Sequence, residues 1–300
     1  MKLALLEQLA KQLGCETERE LPLVAHTTFR IGGPAALAVT VKDFNAFPPL
    51  LTLCRAENIP WMVLGNGSNL LVRDGGFAGV VFRLPVGEAT VSGHTLMCPA
   101  GAMLKSVCRA AREAGLSGLE FAYGIPGTVG GALFMNAGAY DGQMADVVTE
   151  ALVADAAGVR TVPAAEMALA YRHSAFMEKR DTVILSVTMK LTPGDREAIN
   201  AKMEELMRRR REKQPLEYPS AGSYFKRPTG YFAGALVEQS GSKGARVGDA
   251  QISEKHAGFL INRGSATCAD VLELERQVRA RVEEMFGVTL EREVQLIGNE

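Results

Sequence analysis

The stretch IPGTVGGALFMNAGAYDG, residues 125–142, decides how the chain is read. Five glycines stand among apolar residues, and Pro126 stiffens the entry. A glycine lets a backbone approach another group closely, or take a positive φ that other residues resist. Interleaved with Val129, Ala132, Leu133 and Phe134, these glycines do not make a linker. They mark either a buried turn or a surface that something must approach.

A second segment of this kind, GNGSNLL (65–71), follows the apolar strand-like WMVL. It invites a dinucleotide-fold reading, but the third glycine of Gly-x-Gly-x-x-Gly would stand at position 70, which is Leu. No acid-terminated βαβ unit follows it, and no Gly-Lys-Ser/Thr occurs at P-loop spacing. A Gly-x-Gly turn alone is more often structural than functional. Two Gly-rich, apolar-flanked turns carrying Ser68, Asn69, Thr128 and Asn136 are more specific. Successive N–H groups in such turns form anion-binding nests, and small polar side chains add donors. Together they suit a pyrophosphate without lysines, so a large, nearly neutral nucleotide cofactor is expected.

The bulk composition is that of a soluble globular protein. The chain has 300 residues, 47% of them hydrophobic and 22% charged, which suits two or three globular domains. A formal net charge of −1 gives no global attraction to nucleic acid or to an anionic membrane. Cys15, Cys54, Cys98, Cys108 and Cys268 are scattered, without a Cys-x-x-Cys pair or clustered His. That argues against a metal site and a disulfide framework and for a reducing compartment. In MKLALLEQLAKQLG (1–14), Leu3, Leu6, Leu9 and Leu13 recur at helical spacing and Glu7 and Lys11 interrupt the apolar run. This predicts an amphipathic helix rather than a signal peptide. No apolar run reaches about 18 residues, so no membrane insertion and a cytoplasmic location are expected.

The element pattern is irregular and predicts an α+β fold. Helices are expected at the N-terminus, over AFPPLLTLCRAENI opened by two prolines, over 104–115 ending at Gly115, over REAINAKMEELMRRRREKQ stopped by Pro215, near 230–240, and over ADVLELERQVRARVEEMF. In the last of these, Val271, Leu274, Val278, Val282 and Met285 form one apolar face. Strands are expected in 147–162, 181–191, 250–262 and the final TLEREVQLIG. The turn TPGD (192–195) suggests a domain boundary near 193. The expected division is 1–192 (subdomains about 1–62 and 63–192), then 193–290, then a returning strand at 291–300.

Six motifs occur in a fixed order: TTFRIGGPA, GNGSNLLV, IPGTVGGALFMNAGAY, YRHS, GSYFKRP and LEREVQLIG. In this the chain resembles the UDP-N-acetylenolpyruvoylglucosamine reductase family, from about residue 22 to 298. The YRHS form and the short chain are similar to its more compact type, which lacks an extra tyrosine-bearing loop. The resemblance implies a two-subdomain FAD-binding fold of the vanillyl-alcohol-oxidase/PCMH type, followed by a C-terminal α+β substrate-binding domain. It implies non-covalent FAD, NADPH as reductant, a UDP-sugar as small-molecule substrate and a monomer. By position, Gly65, Asn66, Gly67, Ser68, Asn69 and Leu70 would form one FAD cradle. Gly127, Thr128, Gly130, Asn136, Ala137 and Gly138 would form another, with Arg30 and Ile31 also lining the cofactor.

The implied reaction reduces an enolpyruvyl ether and develops negative charge next to a carboxylate. It therefore needs a fixed cation, a proton-sharing acid and a general acid. The resemblance assigns these to Arg172 in YRHS, Glu293 in LEREV and Ser223 in GSYFKRP. Without it, Arg172 reads as a surface cation, Glu293 as a solvated strand residue and Ser223 as a loop hydroxyl. In the basic run 208–213, otherwise a solvated helix face, Arg210 and Lys213 would meet the substrate diphosphate. Tyr224 and Arg227 are candidates for the sugar or nucleotide, although many relatives have asparagine where Arg227 stands. Lys226 would support Ser223 or bind substrate. His256 and Asn262 fall near the core of the substrate domain and are not assigned to catalysis.

Two other readings keep the flavin fold. One is a sugar or alcohol oxidase, whose relatives often tether FAD through His or Cys; His26 stands just before the TTFRIGG turn. The other is a non-enzymatic flavin sensor, which would have no use for Arg172, Ser223 and Glu293 together.

Overall fold

A computed structural model describes residues 1–299. Seven α-helices punctuate these residues: α1 (Lys2–Gln12), α2 (Phe47–Ala56), α3 (Leu104–Glu113), α4 (Val129–Phe134), α5 (Arg196–Lys213), α6 (Ala233–Gln239) and α7 (Cys268–Phe286). The local signals explain most of them. α2 opens with prolines in its first turn, where their missing N–H groups cost nothing. α7 opens with a capping box in which Thr267 and Asp270 satisfy each other's N–H, and it stops at left-handed Gly287. Its buried face holds Val271, Leu274, Val278 and Val282, whereas Met285 in the last turn is exposed, contrary to expectation.

The chain divides into two compact units, and neither is a single continuous segment. One comprises Met1–Arg19, Leu37–Asn66 and Gly79–Arg210; the other comprises Glu20–Ala36, Gly67–Ala78 and the described residues from Arg211 on. This grouping differs from the division expected near residue 193. Strand pairing is the reason: Leu70–Val72 lies parallel to Gln295–Ile297, so residues 67–78 belong with the C-terminal residues.

The first unit holds two cores. In one, α1 and α2 pack on a four-stranded sheet in the order Glu16–Pro22, Pro34–Thr40, Phe77–Arg83, Trp61–Leu64. Trp61–Leu64 runs parallel to Phe77–Arg83, and the Phe47, Phe82 and Trp61 rings meet edge to face. Val80 and Phe82 also belong to this core, beyond the expected subdomain limit at about residue 62. In the other core, α3 and α4 pack on a five-stranded antiparallel sheet ordered Gly158–Pro163, Val148–Asp155, Val183–Lys190, Thr95–Pro99, Thr90–Ser92.

The second unit has an antiparallel sheet ordered Ser220–Ser223, Phe259–Asn262, Ala250–Ile252, Arg246–Val247. Residues of α6 and α7 share one apolar core with it, together with Phe29, Ile31, Leu71, Leu290 and Val294. Asp74 accepts the N–H groups of Cys268 at 2.8 Å and Ala269 at 3.1 Å, fixing the start of α7. No helix among the described residues is long and apolar enough to cross a membrane.

Candidate active site

In the first unit the two glycine-rich segments meet. A Cβ on Gly65 would run into the Thr128 hydroxyl, and Asn66 Nδ2 donates to the Pro126 carbonyl at 2.7 Å. Glycine at 65 is required by this approach of chain to chain. The second segment departs from the expected nest, because it contains the six-residue helix α4. There the N–H groups of Val129 and Gly130 donate to the carbonyls of Ala102 and Ala100 at 2.9 and 2.8 Å. Thr128, the N-cap, accepts from Gly131 at 3.4 Å. Those three donors are occupied by the protein itself. At Gly130 an added Cβ would lie 2.8 Å from Ala100 Cβ, so packing alone already requires glycine there.

Asn136 is likewise internal. It is 2% exposed with φ 41°, a left-handed angle that Asn tolerates better than most residues. Its amide donates to Gln143 Oε1 at 3.1 Å and to the Ala170 carbonyl at 2.8 Å, and its oxygen accepts the Ala145 N–H at 2.9 Å. The side chain expected on the cofactor is instead a strut between three chain segments. Ala137 also turns its backbone inward, donating to Ala132 and accepting from Met144.

Arg172 sits at the tip of a two-residue turn closed by reciprocal Ala170–His173 backbone bonds, both 3.1 Å. Its φ of 52° is left-handed, a strained state for a non-glycine residue that persists only where the surroundings impose it. Those surroundings are Asn136 on Ala170 and the Ser174 hydroxyl donating to the Phe134 carbonyl at 2.6 Å. The Arg172 guanidinium donates to the Gly138 carbonyl at 3.2 Å and stands 5.5 Å from the Tyr171 ring centre. Gly138 begins a hairpin whose tip, Tyr140–Asp141, also has positive φ at both residues. Arg210 packs over Gly124, and burial holds its pKa below the usual guanidinium value, partly offset by Tyr140.

In the second unit, Gly67 has φ 60° and abuts the turn before it: a Cβ would meet the His26 carbonyl and lie 2.8 Å from Thr27 Cα. Beside it, the buried Thr27 hydroxyl has no hydrogen-bond partner among the described residues. An orphaned buried hydroxyl costs about 1–3 kcal/mol, so a donor or acceptor brought by a bound cofactor fits this place. Thr27 was not singled out by the sequence, although it opens the TTFRIGGPA motif. Asn69 accepts the Gln295 N–H at 2.9 Å and donates from its side chain to the Glu293 carbonyl at 3.3 Å. Ile31, expected along the cofactor, is a core residue, 1% exposed. Arg30 is exposed, with its carbonyl held by Asn262 Nδ2 at 3.2 Å. Asn262 and His256 are local fasteners: Asn262 also binds Phe29, Gly264 and Ala266, and His256 Nδ1 accepts the Gly258 N–H.

Ser223 and Glu293 lie on adjoining backbones of this unit. The Glu293 N–H donates to the Tyr224 carbonyl at 2.9 Å, and the Lys226 N–H to the Glu291 carbonyl at 2.8 Å. Ser223 is exposed, after left-handed Gly222 with φ 82°, whereas Glu293 is buried, 8% exposed. Tyr224 is corrected as a substrate ligand: its side chain is 1% exposed, and its hydroxyl donates to the buried Glu275 at 2.9 Å. Lys226 pairs with Glu291 at 3.2 Å, and Arg227 lies 4.0 Å over the Phe232 ring. Lys213, the last residue of α5, is exposed. No cluster of three or more potential metal ligands occurs among the described residues.

Residues 35–162 match the FAD binding domain family, and residues 214–297 match the UDP-N-acetylenolpyruvoylglucosamine reductase C-terminal domain. The UDP-N-acetylenolpyruvoylglucosamine reductase of Clostridium novyi is 46% identical over 95% of this chain and 93% of its own length. That of Clostridium perfringens is 48% identical over 93% and 92%. The crystal structure of UDP-N-acetylenolpyruvylglucosamine reductase from Thermus caldophilus superimposes with a TM-score of 0.80 at 39% identity, covering 94% of this chain and 99% of that one. An FAD-binding unit carrying paired glycine-rich segments, joined to this C-terminal domain, makes the chain an FAD-dependent oxidoreductase that belongs to the UDP-N-acetylenolpyruvoylglucosamine reductase family.

Proposed function

We propose that the protein reduces the enolpyruvyl ether of UDP-N-acetylglucosamine-enolpyruvate to UDP-N-acetylmuramate, a step of peptidoglycan precursor synthesis, with NADPH as reductant. The observation that carries the residue assignment is the 2.9 Å bond from Glu293 N–H to the Tyr224 carbonyl. It puts the backbone of buried Glu293 beside the strand end that presents the exposed Ser223. Bound FAD supplies the two-electron chemistry. The residues that would hold it are Gly65, Asn66, Gly127, Thr128 and Gly138, together with Thr27, Gly67, Ser68, Asn69 and Leu70.

Arg172 grips the substrate carboxylate. Its left-handed backbone and its bond to Gly138 hold the guanidinium in place before substrate arrives, so little ordering is left to do. As charge develops on the carboxylate, this always-charged planar fork stabilises it through two parallel hydrogen bonds. Glu293, buried, shares a proton with the same developing anion. Ser223 gives its hydroxyl proton to the substrate α-carbon and is restored from solvent. Arg210 and Lys213 neutralise the diphosphate, and Arg227 contacts the nucleotide sugar.

The test is absorbance of the flavin in purified, oxygen-free protein. One equivalent of NADPH should bleach it, and the enolpyruvyl sugar should restore the colour. Bleaching without recovery would discard the acceptor, and no bleaching of FAD-loaded protein would discard the reductase reading.

A further inference from the structure

We propose that Glu275 is a positioning residue for the protonation step: its buried carboxylate pins the residues that adjoin Ser223 and Glu293, and so sets both. The proposal rests on the roles given to Ser223 and Glu293 above.

Glu275 lies in the middle of α7 and is 3% exposed. Burying a carboxylate costs several kcal/mol unless its oxygens are fully partnered. Here they accept the Tyr224 hydroxyl at 2.9 Å, Arg292 Nε at 2.8 Å and Arg292 Nη2 at 3.2 Å, with Arg279 at 3.5 Å from the next turn. Tyr224 follows Ser223 in the chain, and Arg292 precedes Glu293. One helix residue therefore grips both segments, each at the position next to a proposed catalytic side chain.

Adjacent residues in extended chain point to opposite sides, so anchoring one aims its neighbour the other way. Tyr224 turned inward leaves Ser223 facing solvent. The Phe225–Arg292 bridge and the bond from Glu293 N–H to Tyr224 lock the two segments in register. The sheet does not do this work alone. Pairing of Ser220–Ser223 with Phe259–Asn262 is irregular between Ser220 and Ser223, where left-handed Gly222 intervenes. A one-residue slip there would reverse which side chain faces out. An apolar cluster would fill the same volume, often with equal stability. A two-pronged arginine and a tyrosine hydroxyl on one carboxylate also fix direction, which an apolar cluster does not. Burial and the adjacent Glu275 raise the Tyr224 pKa, keeping its hydroxyl a donor.

The experiment measures the two half-reactions separately in FAD-loaded Glu275→Gln and Tyr224→Phe proteins. Glu275→Gln retains shape but loses the charge, and Tyr224→Phe removes one hydroxyl alone. A misplacement of about 1 Å near reacting atoms costs on the order of 10²-fold in rate. Flavin reduction by NADPH should stay within about twofold of wild type, because no proton from Ser223 enters it. Reoxidation by the enolpyruvyl sugar should slow at least about tenfold in Glu275→Gln, less in Tyr224→Phe, with an enlarged solvent deuterium isotope effect. Wild-type reoxidation in both variants would overturn the proposal, and so would equal slowing of both half-reactions. If Glu275→Gln does not fold, Tyr224→Phe decides alone on the same criteria. Failure of the wild-type protein to be reoxidised would overturn the functional reading, and this proposal with it.

Discussion

Replacing Asn136 separates what its side chain does from what its backbone demands. The residue is 2% exposed and makes three side-chain hydrogen bonds, to Gln143, Ala170 and Ala145. Each is worth about 1 kcal/mol net, so removing all three costs about 3 kcal/mol. Asn136→Ala also places a methyl-bearing residue at φ 41°, adding about 1–2 kcal/mol. Asn136→Gly loses the same bonds but not that strain, and the greater freedom of its unfolded chain costs about 0.4–1 kcal/mol. The glycine variant should thus equal or exceed the alanine variant in stability, the reverse of the order seen in an ordinary helix. Urea unfolding followed by flavin release, at one fixed FAD concentration and with each variant's measured FAD affinity used to subtract its ligand contribution, measures this. A loss below about 1 kcal/mol, or an alanine variant clearly more stable than the glycine variant, would refute the reasoning. Both variants should also reoxidise slowly, since Asn136 anchors the turn that carries Arg172.

Arg172→Lys keeps the charge but not the fork, so single-turnover reoxidation should fall about 10–100-fold while NADPH reduction is unchanged. Gly67→Ala drives a Cβ towards the His26 carbonyl and Thr27 Cα at an unfavourable φ of 60°; the purified protein should carry little FAD, read from its 450-to-280 nm absorbance ratio. All five thiols are buried, and burial raises the pKa of each, to about 12 for Cys54 and Cys98 and about 11 for Cys268. Unfolded thiols ionise near pH 8.5 while the folded ones stay protonated. This contribution to stability is therefore complete below that pH and is lost as the pH rises towards the folded values. A disulfide-exchange reagent at pH 8 should find no fast thiol in the native protein and five after denaturation; one stoichiometric fast thiol would contradict the structure.

Much of the fold was legible because its signals are local. Thr267 with Asp270 and Gly287 mark the ends of α7, and paired prolines mark the start of α2. The helix α4 was not legible, since six residues containing two glycines carry neither a period nor good propensity. The site was legible only as far as residue type. A glycine that yields to a cofactor and one that yields to Ala100, as Gly130 does, look identical in sequence. Asn136, Ile31 and Tyr224 drew functional assignments because they lie within functional motifs, yet each faces the protein. Which neighbour of a motif turns inward depends on partners such as Glu275 and Ala170, which lie 51 and 34 residues away. The two discontinuous units were hidden for the same reason.

The parallel pair Leu70–Val72 and Gln295–Ile297 also sets a timetable for synthesis. Strand 70–72, with Leu71 and Val72 destined for full burial, emerges more than two hundred residues before its partner. At about 5–20 residues per second this interval is on the order of ten to forty seconds. Throughout it, the nascent chain holds an apolar strand with an open hydrogen-bonding edge, the kind of template that invites pairing with other chains. The second unit is thus a late-folding one, and its cofactor turn at Gly67–Asn69 takes its final setting only when residue 295 arrives to bond Asn69. Yield in a host cell should accordingly depend on chaperones that shield unpaired strands during elongation, more than on the stability of the finished fold.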